Sequence, residues 1–187
     1  MNSMQLQENI SLKDYSNYKI GGPARFFAEV ETVEQLKEIL RLSFDELRIA
    51  QDKIAILGGG TNILIDDKGF DGLVIHNKIQ GINIVDDGLE VGSGVMIEDL
   101  LAFCVENSLS GLEWAGGLPG TVGGAIRGNA GAFKGEIKDN VLQVQSLNLK
   151  TQNDVIRSQD ECEFDYRNSI FKSGEGATEF ITHVVLQ

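Results

Sequence analysis

The pattern of apolar residues in the N-terminal part of the chain predicts a strand, a helix and further strands. Short apolar runs of strand length occupy residues 24–30, 54–57, 63–65 and 73–75. Between the first two runs, apolar residues recur at helical spacing at Val33, Leu36, Ile39 and Leu40. Thr32 and Gln35 begin this helix in a capping-box arrangement. These elements predict a βαβ-like lobe, residues 1–76, in which a glycine-rich turn at 58–62 follows a strand.

The rest of the chain, residues 77–187, predicts a second lobe. Residues 82–85 and 89–91 flank Asp86-Asp-Gly88, which is typical of a β-hairpin. A helix is predicted by apolar residues that recur at helical spacing, namely Ile97, Leu100, Leu101 and Cys104. Further strands are predicted at residues 141–149, 154–156 and 179–186. We therefore expect an α+β fold built from two lobes.

The composition is that of a globular protein of 187 residues, with 42% hydrophobic and 24% charged residues. No apolar run of about 18 residues is present, which predicts no membrane span. The polar N-terminus lacks the apolar region of a signal peptide, so we expect a cytoplasmic protein. The formal net charge of −12 argues against nucleic-acid binding, although backbone N–H groups could still bind an anionic ligand.

The cysteine and histidine residues do not predict a metal site. Cys104 lies on the apolar stripe of a predicted helix and is expected in the core. Cys162 is surrounded by acidic residues, which are expected to raise the pKa of its thiol. His76 and His183 lie in strand-like sequence without nearby ligands. Any redox chemistry is therefore expected to come from a bound cofactor.

Glycine is concentrated in two segments. Eight of the 21 residues from 111 to 131 are glycine, but interspersed Trp114 and Ile126 are not typical of a flexible linker. This density indicates that the backbone closely approaches a phosphate or a flat cofactor. The other segment, Gly58-Gly-Gly-Thr-Asn62, matches neither the G-x-G-x-x-G motif nor the P-loop. It is consistent with a pyrophosphate site formed by backbone N–H groups, or with a plain tight turn.

A polar cluster at Tyr166, Arg167 and Ser169 lies between apolar residues. An arginine in such a place either forms a structural ion pair or binds an anion in a site. The residues alone leave both interpretations open.

Four motifs, in this order, resemble the UDP-N-acetylenolpyruvoylglucosamine reductase family. They are N-Y-K-I-G-G-P-A at 17–24, L-G-G-G-T-N-I-L at 57–64, G-L-P-G-T-V-G-G-A at 117–125 with N-A-G at 129–131, and Y-R-N-S-I-F at 166–171. The resemblance implies an FAD-binding fold of the vanillyl-alcohol-oxidase or p-cresol-methylhydroxylase type, with FAD between two lobes. It also implies the NADPH-linked reduction of an enolpyruvyl UDP-sugar to UDP-N-acetylmuramate in peptidoglycan biosynthesis.

The resemblance further implies roles for particular residues of this chain. The FAD pyrophosphate would rest on the turn 58–62, and the segment 116–131 would pass along the flavin. The expected cofactor-binding residues are Gly58, Gly59, Gly60, Thr61, Asn62, Ile63, Gly117, Pro119, Gly120, Thr121, Gly123, Gly124, Asn129, Ala130 and Gly131. Tyr166 and Arg167 are expected to bind the substrate. Arg167 is also the expected catalytic residue, stabilising the negative charge that develops on the substrate.

The chain departs from the family pattern at its C-terminal end. Family members continue into a domain that carries a proton-donating Ser and a catalytic Glu, and neither Ser169 nor Glu175 lies in the corresponding motif. We therefore expect a truncated FAD-binding portion that is monomeric, with the UDP-sugar and NADPH as its partners. One alternative is a flavin-binding remnant without turnover. The other is a different oxidoreductase of the same superfamily, although no His or Cys is placed for covalent flavin attachment.

Overall fold

The computed structural model describes residues 6–86 and 88–187, apart from the side chain of Gln51. The chain divides into two compact units, Met1–Ile79 and Gln80–Gln187, the first of them described from residue 6. The division falls after Ile79, whereas the boundary expected from the sequence lies after residue 76. Each unit has its own main sheet and its own apolar core.

The first unit is a four-stranded sheet with one long helix. Its strands and helix are β1 (Gln7–Ser11), β2 (Pro23–Val30), α1 (Val33–Asp45), β3 (Ile54–Leu57) and β4 (Phe70–Asn77). The strand order is β1-β2-β4-β3. Strands β2 and β3 both run parallel to β4, while β1 pairs antiparallel with β2. Because parallel strands need a crossover connection, α1 carries the chain from β2 to β3.

Helix α1 begins at the residue that the sequence indicates. The Thr32 side chain accepts a hydrogen bond from the Gln35 N–H at 3.1 Å. The Gln35 side chain in turn accepts from the N–H of Glu31 at 2.7 Å, one residue before the partner that a full capping box uses. The apolar stripe is buried against the sheet, as Leu36, Ile39 and Leu40 have no exposed surface.

The second unit is built on a five-stranded antiparallel sheet. Its strands and helices are β5 (Ile82–Val85), β6 (Gly88–Gly92), α2 (Ile97–Glu106), α3 (Val122–Gly128), β7 (Gly131–Ala132), β8 (Gly135–Glu136), β9 (Val141–Asn148), β10 (Asp154–Ser158), α4 (Ile170–Ser173) and β11 (Glu179–Leu186). The order in the large sheet is β10-β9-β11-β6-β5, and β7 and β8 form a separate two-stranded hairpin. Helices α2 and α3 contribute Leu100 and Ile126 to the same core as Val184 of β11.

Most predicted elements are confirmed, but the strand predicted at 63–65 is wrong. Because β3 and β4 are parallel, the chain must return from the end of β3 to the start of β4, and residues 58–69 form that connection. Ile63 and Ile65 pack against the core of the first unit while Leu64 is exposed, which produces the strand-like alternation. The predicted hairpin forms between β5 and β6, and its turn includes Asp87, which lies outside the described residues.

The helices of the described ranges include none that is both long and apolar enough to span a membrane.

Candidate functional site

The glycine-rich turn of the first unit, residues 58–62, begins where β3 ends. Gly60 has a φ of +67°, and a Cβ at this position would overlap the carbonyl oxygen of Tyr15. The Gly60 carbonyl also accepts a hydrogen bond from the Asn17 N–H at 3.0 Å. The protein's own packing therefore requires glycine at position 60, whatever the turn binds.

The same turn leaves backbone donors available for a ligand. Within the described part of the chain, none of the N–H groups of residues 59–62 donates a hydrogen bond to another residue. Gly60 is buried, Gly59 and Thr61 are half-buried, and Asn62 is exposed. Since buried N–H groups are normally paired, and successive free N–H groups bind phosphate oxygens, the turn fits an anionic group such as a pyrophosphate.

His76 supports this turn from the adjacent strand β4. It lies opposite Leu57 in the strand register, and its ring forms a hydrogen bond with the Gly58 backbone. Its Nδ1 is 2.9 Å from Oε1 of Glu29, and its ring packs edge-on against Tyr15. Burial lowers the pKa of His76, although the hydrogen bond that the Glu29 carboxylate accepts from the ring opposes this effect. The imidazole is therefore neutral at pH 7.

In the second unit, the buried side of the glycine-rich segment fastens it to the core. The Gly120 carbonyl accepts a hydrogen bond from the Ile97 N–H at 2.9 Å, and the Gly123 N–H donates to the Ser93 carbonyl at 2.8 Å. The Thr121 hydroxyl begins α3 by accepting from the N–H of the third residue beyond it, at 3.3 Å. Gly120, Thr121 and Gly123 are all buried, so they anchor the segment to the core and do not face a ligand at its surface.

The other side of this segment exposes glycine. Gly116, Gly117 and Gly124 are exposed and Gly128 is half-buried; we call these four residues the glycine face. A Cβ at 117 or 128 would meet no atom within 4 Å, and one at 116 or 124 would meet a single atom at 3.4 Å, an ordinary contact. Only Gly117, with φ +78°, needs glycine for its backbone. The missing side chains therefore leave room for a flat ligand beside exposed Pro119.

Asn129 connects the glycine-rich segment to the Tyr-Arg motif. It ends α3 in a left-handed conformation, with φ +40°, and is completely buried. Its Nδ2 donates to the Asp165 carbonyl at 2.9 Å and to Oε2 of Glu136 at 3.2 Å. Its Oδ1 accepts from the Lys138 N–H at 3.4 Å. The side chain, predicted to bind the cofactor, thus lies within the protein framework, next to half-buried Ala130.

Arg167 is held at the end of the glycine-rich segment. Its Nη2 donates to the Gly131 carbonyl at 2.6 Å, and its guanidinium lies 5.8 Å from the centroid of the Tyr166 ring. Tyr166 is 78% exposed, whereas the Ser169 hydroxyl is buried and donates to the Arg127 carbonyl at 2.8 Å. Among the described residues, no carboxylate lies within 4 Å of the Arg167 guanidinium. This geometry favours the anion-binding interpretation over a structural ion pair.

A charged pair beside Arg167 has no counterpart in the sequence predictions. The Lys138 Nζ lies 2.6 Å from Oε2 of Glu136 in the β7–β8 region. This hydrogen bond is the largest cause that holds the pKa of Glu136 below its usual range, and Asn129 and Arg167 add to it. The sequence could not reveal the pair's relation to Arg167, because the two lie far apart along the chain.

Both cysteines belong to the core of the second unit and take no part in the site. Cys162 is fully buried, and burial is the largest cause that raises its thiol pKa to about 12. The acidic neighbours Glu161 and Glu179 raise the pKa further, so the effect expected from the sequence is present but secondary. The charge of Arg157 lowers the pKa of Cys162 and so opposes these effects. Arg157 forms an ion pair with Glu179 at 2.6 Å.

Free backbone donors in the turn of one unit, and exposed glycines in the other, are features typical of proteins that bind a nucleotide cofactor. Comparison with known families assigns the cofactor. Residues 24–151 match the FAD binding domain family, and the chain belongs to that family. FAD binding and the flavoprotein class, both expected from the sequence, are thereby confirmed.

Individual proteins agree with this assignment. The UDP-N-acetylenolpyruvoylglucosamine reductase of Chlamydia pneumoniae is 36% identical over 97% of this chain, which spans 58% of that protein. The structure of a UDP-N-acetylenolpyruvylglucosamine reductase from Thermus caldophilus is 31% identical, with a TM-score of 0.81 over 98% of this chain and 62% of its own. Cholesterol oxidase from Brevibacterium sterolicum shares the fold alone, at 16% identity, with a TM-score of 0.66 over 100% of this chain and 38% of its own.

These relatives confirm the resemblance and the vanillyl-alcohol-oxidase type of fold. The chain spans little more than half the length of the curated reductases that it matches. Glu136 and Lys138 are not among the site residues predicted from the sequence. Gly116 and Gly128 are not predicted individually, although both lie in the segment 116–131 that is predicted to line the flavin.

Proposed function

We propose that this chain is the flavin-binding portion of an NADPH-dependent UDP-N-acetylenolpyruvoylglucosamine reductase. The proposed reaction converts the enolpyruvyl ether of UDP-N-acetylglucosamine to UDP-N-acetylmuramate for peptidoglycan synthesis. The observation that carries the proposal is the position of Arg167, whose guanidinium is held by the carbonyl of Gly131, the last residue of the glycine-rich segment, and makes no other hydrogen bond to residues 6–86 or 88–187. Relatives named for this reaction, similar along nearly the whole chain, support it.

The proposal assigns cofactor binding to the two glycine segments. The free N–H groups of residues 59–62 would bind the pyrophosphate of FAD, with the Thr61 hydroxyl as a further donor. The glycine face would line the flavin, since Gly124 and Gly128 lie one helical turn apart and therefore on the same face of α3. When bound, FAD supplies hydride transfer, taking the hydride from NADPH and passing it to the enolpyruvyl group.

Arg167 would bind the carboxylate of the enolpyruvyl group and stabilise the negative charge that grows there during hydride transfer. A guanidinium is always charged and can offer two parallel N–H donors to a carboxylate. Its anchoring to Gly131 and its contact with Tyr166 fix its orientation before the substrate arrives. Tyr166, which is largely exposed, would contact the substrate next to it.

In this proposal the proton-donating Ser and the catalytic Glu of the family are not supplied by residues 6–86 or 88–187. The Ser169 hydroxyl is buried and already donates to the Arg127 carbonyl, so it does not replace the Ser. We further propose a cytoplasmic and monomeric protein, with the UDP-sugar and NADPH as partners and no role for nucleic acid.

The first test is the visible absorption spectrum of the purified chain after it has been mixed with FAD and desalted. We expect retained flavin bands, which NADPH then bleaches under anaerobic conditions. FMN is the matched control, because it lacks the pyrophosphate and adenosine and should be lost on desalting. A folded chain that retains no FAD would contradict the proposal. Retained flavin that NADPH cannot bleach would identify a flavin-binding module without the first half-reaction.

A further inference from the structure

Two cations, Lys138 and Arg167, act on the single carboxylate of Glu136. Glu136 of β8 pairs with Gly131 of β7, and the Gly131 carbonyl is the group that accepts the hydrogen bond from Arg167 at 2.6 Å. The Glu136 carboxylate itself is occupied by Lys138 at 2.6 Å and by Asn129 at 3.2 Å. Arg167 is thus held at the strand partner of Glu136, and its charge also lowers the pKa of the Glu136 carboxyl.

The two cations differ in what they gain from this carboxylate. A guanidinium matches a carboxylate with two parallel hydrogen bonds, whereas an ammonium group acts as a point charge. Within the described part of the chain, the Arg167 guanidinium donates a hydrogen bond only to the Gly131 carbonyl, and the residue is exposed. Without the Lys138 charge, Glu136 would keep the Asn129 amide as a donor but would lose its ion-pair partner, and Arg167 is the other cation that lowers the pKa of its carboxyl.

We propose that Lys138 is a positioning residue that occupies Glu136 and so keeps Arg167 free to bind the carboxylate of a substrate. The inference rests on the proposed function, because it takes Arg167 as the substrate-binding cation. Lys138 is suited to this role, since its side chain is 36% exposed and its ammonium group can stay hydrated while it contacts Glu136. Its backbone bonds to Asn129 and Gln159 do not depend on the side chain.

Lys138→Met keeps the length of the side chain and removes the charge. Arg167 is then expected to turn from the Gly131 carbonyl to Glu136. In the double variant Glu136→Gln with Lys138→Met, the competing charge is gone and Arg167 is expected to stay in place. Lys150→Met is the matched control, because Lys150 is an exposed lysine of the same unit, outside this cluster.

The first measurement is made on the 187-residue chain by NMR, following hydrogen exchange at Arg167 Nε and the titration of Glu136. In Lys138→Met we expect exchange at Arg167 Nε to slow by about tenfold, the size expected of a new charge-assisted hydrogen bond. The double variant and Lys150→Met should match the wild type. Unchanged exchange at Arg167 in Lys138→Met would overturn the inference.

The second measurement separates the inference from the proposed function. It uses the protein in a form that reduces the enolpyruvyl UDP-sugar, and it compares KM and kcat. Lys138→Met should raise KM by about tenfold with little change in kcat, and the double variant should restore KM. If Arg167→Ala abolishes turnover but Lys138→Met leaves KM unchanged, the inference fails and the proposed function stands. If Arg167→Ala has no effect, the proposed role of Arg167 itself is wrong.

Discussion

Replacing Gly124 by alanine is expected to separate the stability of the protein from its affinity for FAD. Gly124 lies in α3 and is exposed, and an added Cβ would meet only the Thr121 hydroxyl, at 3.4 Å. Its backbone is not in the left-handed region. The protein therefore has no internal reason for glycine at this position, in contrast to Gly60.

The two expected effects have opposite signs. Alanine is favoured over glycine in a helix interior by about 1 kcal/mol, so the free energy of unfolding without FAD should stay level or rise by up to that amount. A methyl group forced into a packed contact typically costs about 1–3 kcal/mol. If FAD lies on the glycine face, its dissociation constant should rise by about 5- to 150-fold. Gly128→Ala should behave similarly, with a smaller gain in stability because Gly128 ends the helix.

Stability is measured by urea denaturation without FAD, and affinity by the change in flavin fluorescence on titration. Gly81→Ala is the matched control. Gly81 lies in the same unit with a φ of +117° and open space around a Cβ, so alanine there should lose about 1 kcal/mol of stability through backbone strain alone. Its FAD affinity should not change. Gly124→Ala and Gly128→Ala proteins that bind FAD as tightly as the wild type would refute the placement of the flavin on this face.

Three further outcomes are expected. Gly60→Ala should lower the free energy of unfolding by roughly 3 kcal/mol or more in urea denaturation, because a strained φ is combined with overlap on Tyr15; a loss under about 1 kcal/mol would contradict this packing. Arg167→Ala should retain FAD yet reduce turnover in an active form by about 3 kcal/mol of transition-state stabilisation; parallel loss of flavin would argue against its catalytic role. The pKa of His76 is lowered in the folded protein, so the free energy of unfolding should have its full value above about pH 6.5 and should decrease as the pH falls below it. His76→Gln should flatten that profile, and an unchanged slope would assign it to another group.

The longer elements that the sequence predicts form where they are expected, with one exception, because each has an apolar pattern that local packing imposes, whereas the short edge strand β1 is not predicted. The stripe of α1 and the strand β11 are examples, and both are buried as their patterns indicate. The strand predicted at 63–65 is wrong for a physical reason. An extended connection that packs on a core also alternates between buried and exposed side chains, so Leu64 and its neighbours imitate a strand without any ladder partner.

The site is only partly predictable, because its charged residues meet through the fold and not through the sequence. Arg167 stands out in its motif, but its partner carbonyl, at Gly131, is 36 residues away. The relation of Glu136 and Lys138 to Arg167 depends on the β7–β8 hairpin, which consists of two-residue strands too short to give a periodic signal. Asn129 connects the glycine-rich segment to the Tyr-Arg motif from a left-handed backbone conformation, and composition alone does not predict that conformation.

Glycine density has two physical causes in this chain, and only one of them indicates a ligand. Gly60 is needed because the backbone of Tyr15 lies where a Cβ would be, so glycine at this position serves the protein's own packing. Gly116, Gly124 and Gly128 have ordinary backbone angles and open surroundings, so the folded chain alone would accept alanine at each of them. A preference for glycine at such positions requires something outside the chain to occupy the space. These three positions, and not the number of glycines in the segment, therefore favour a flavin surface here.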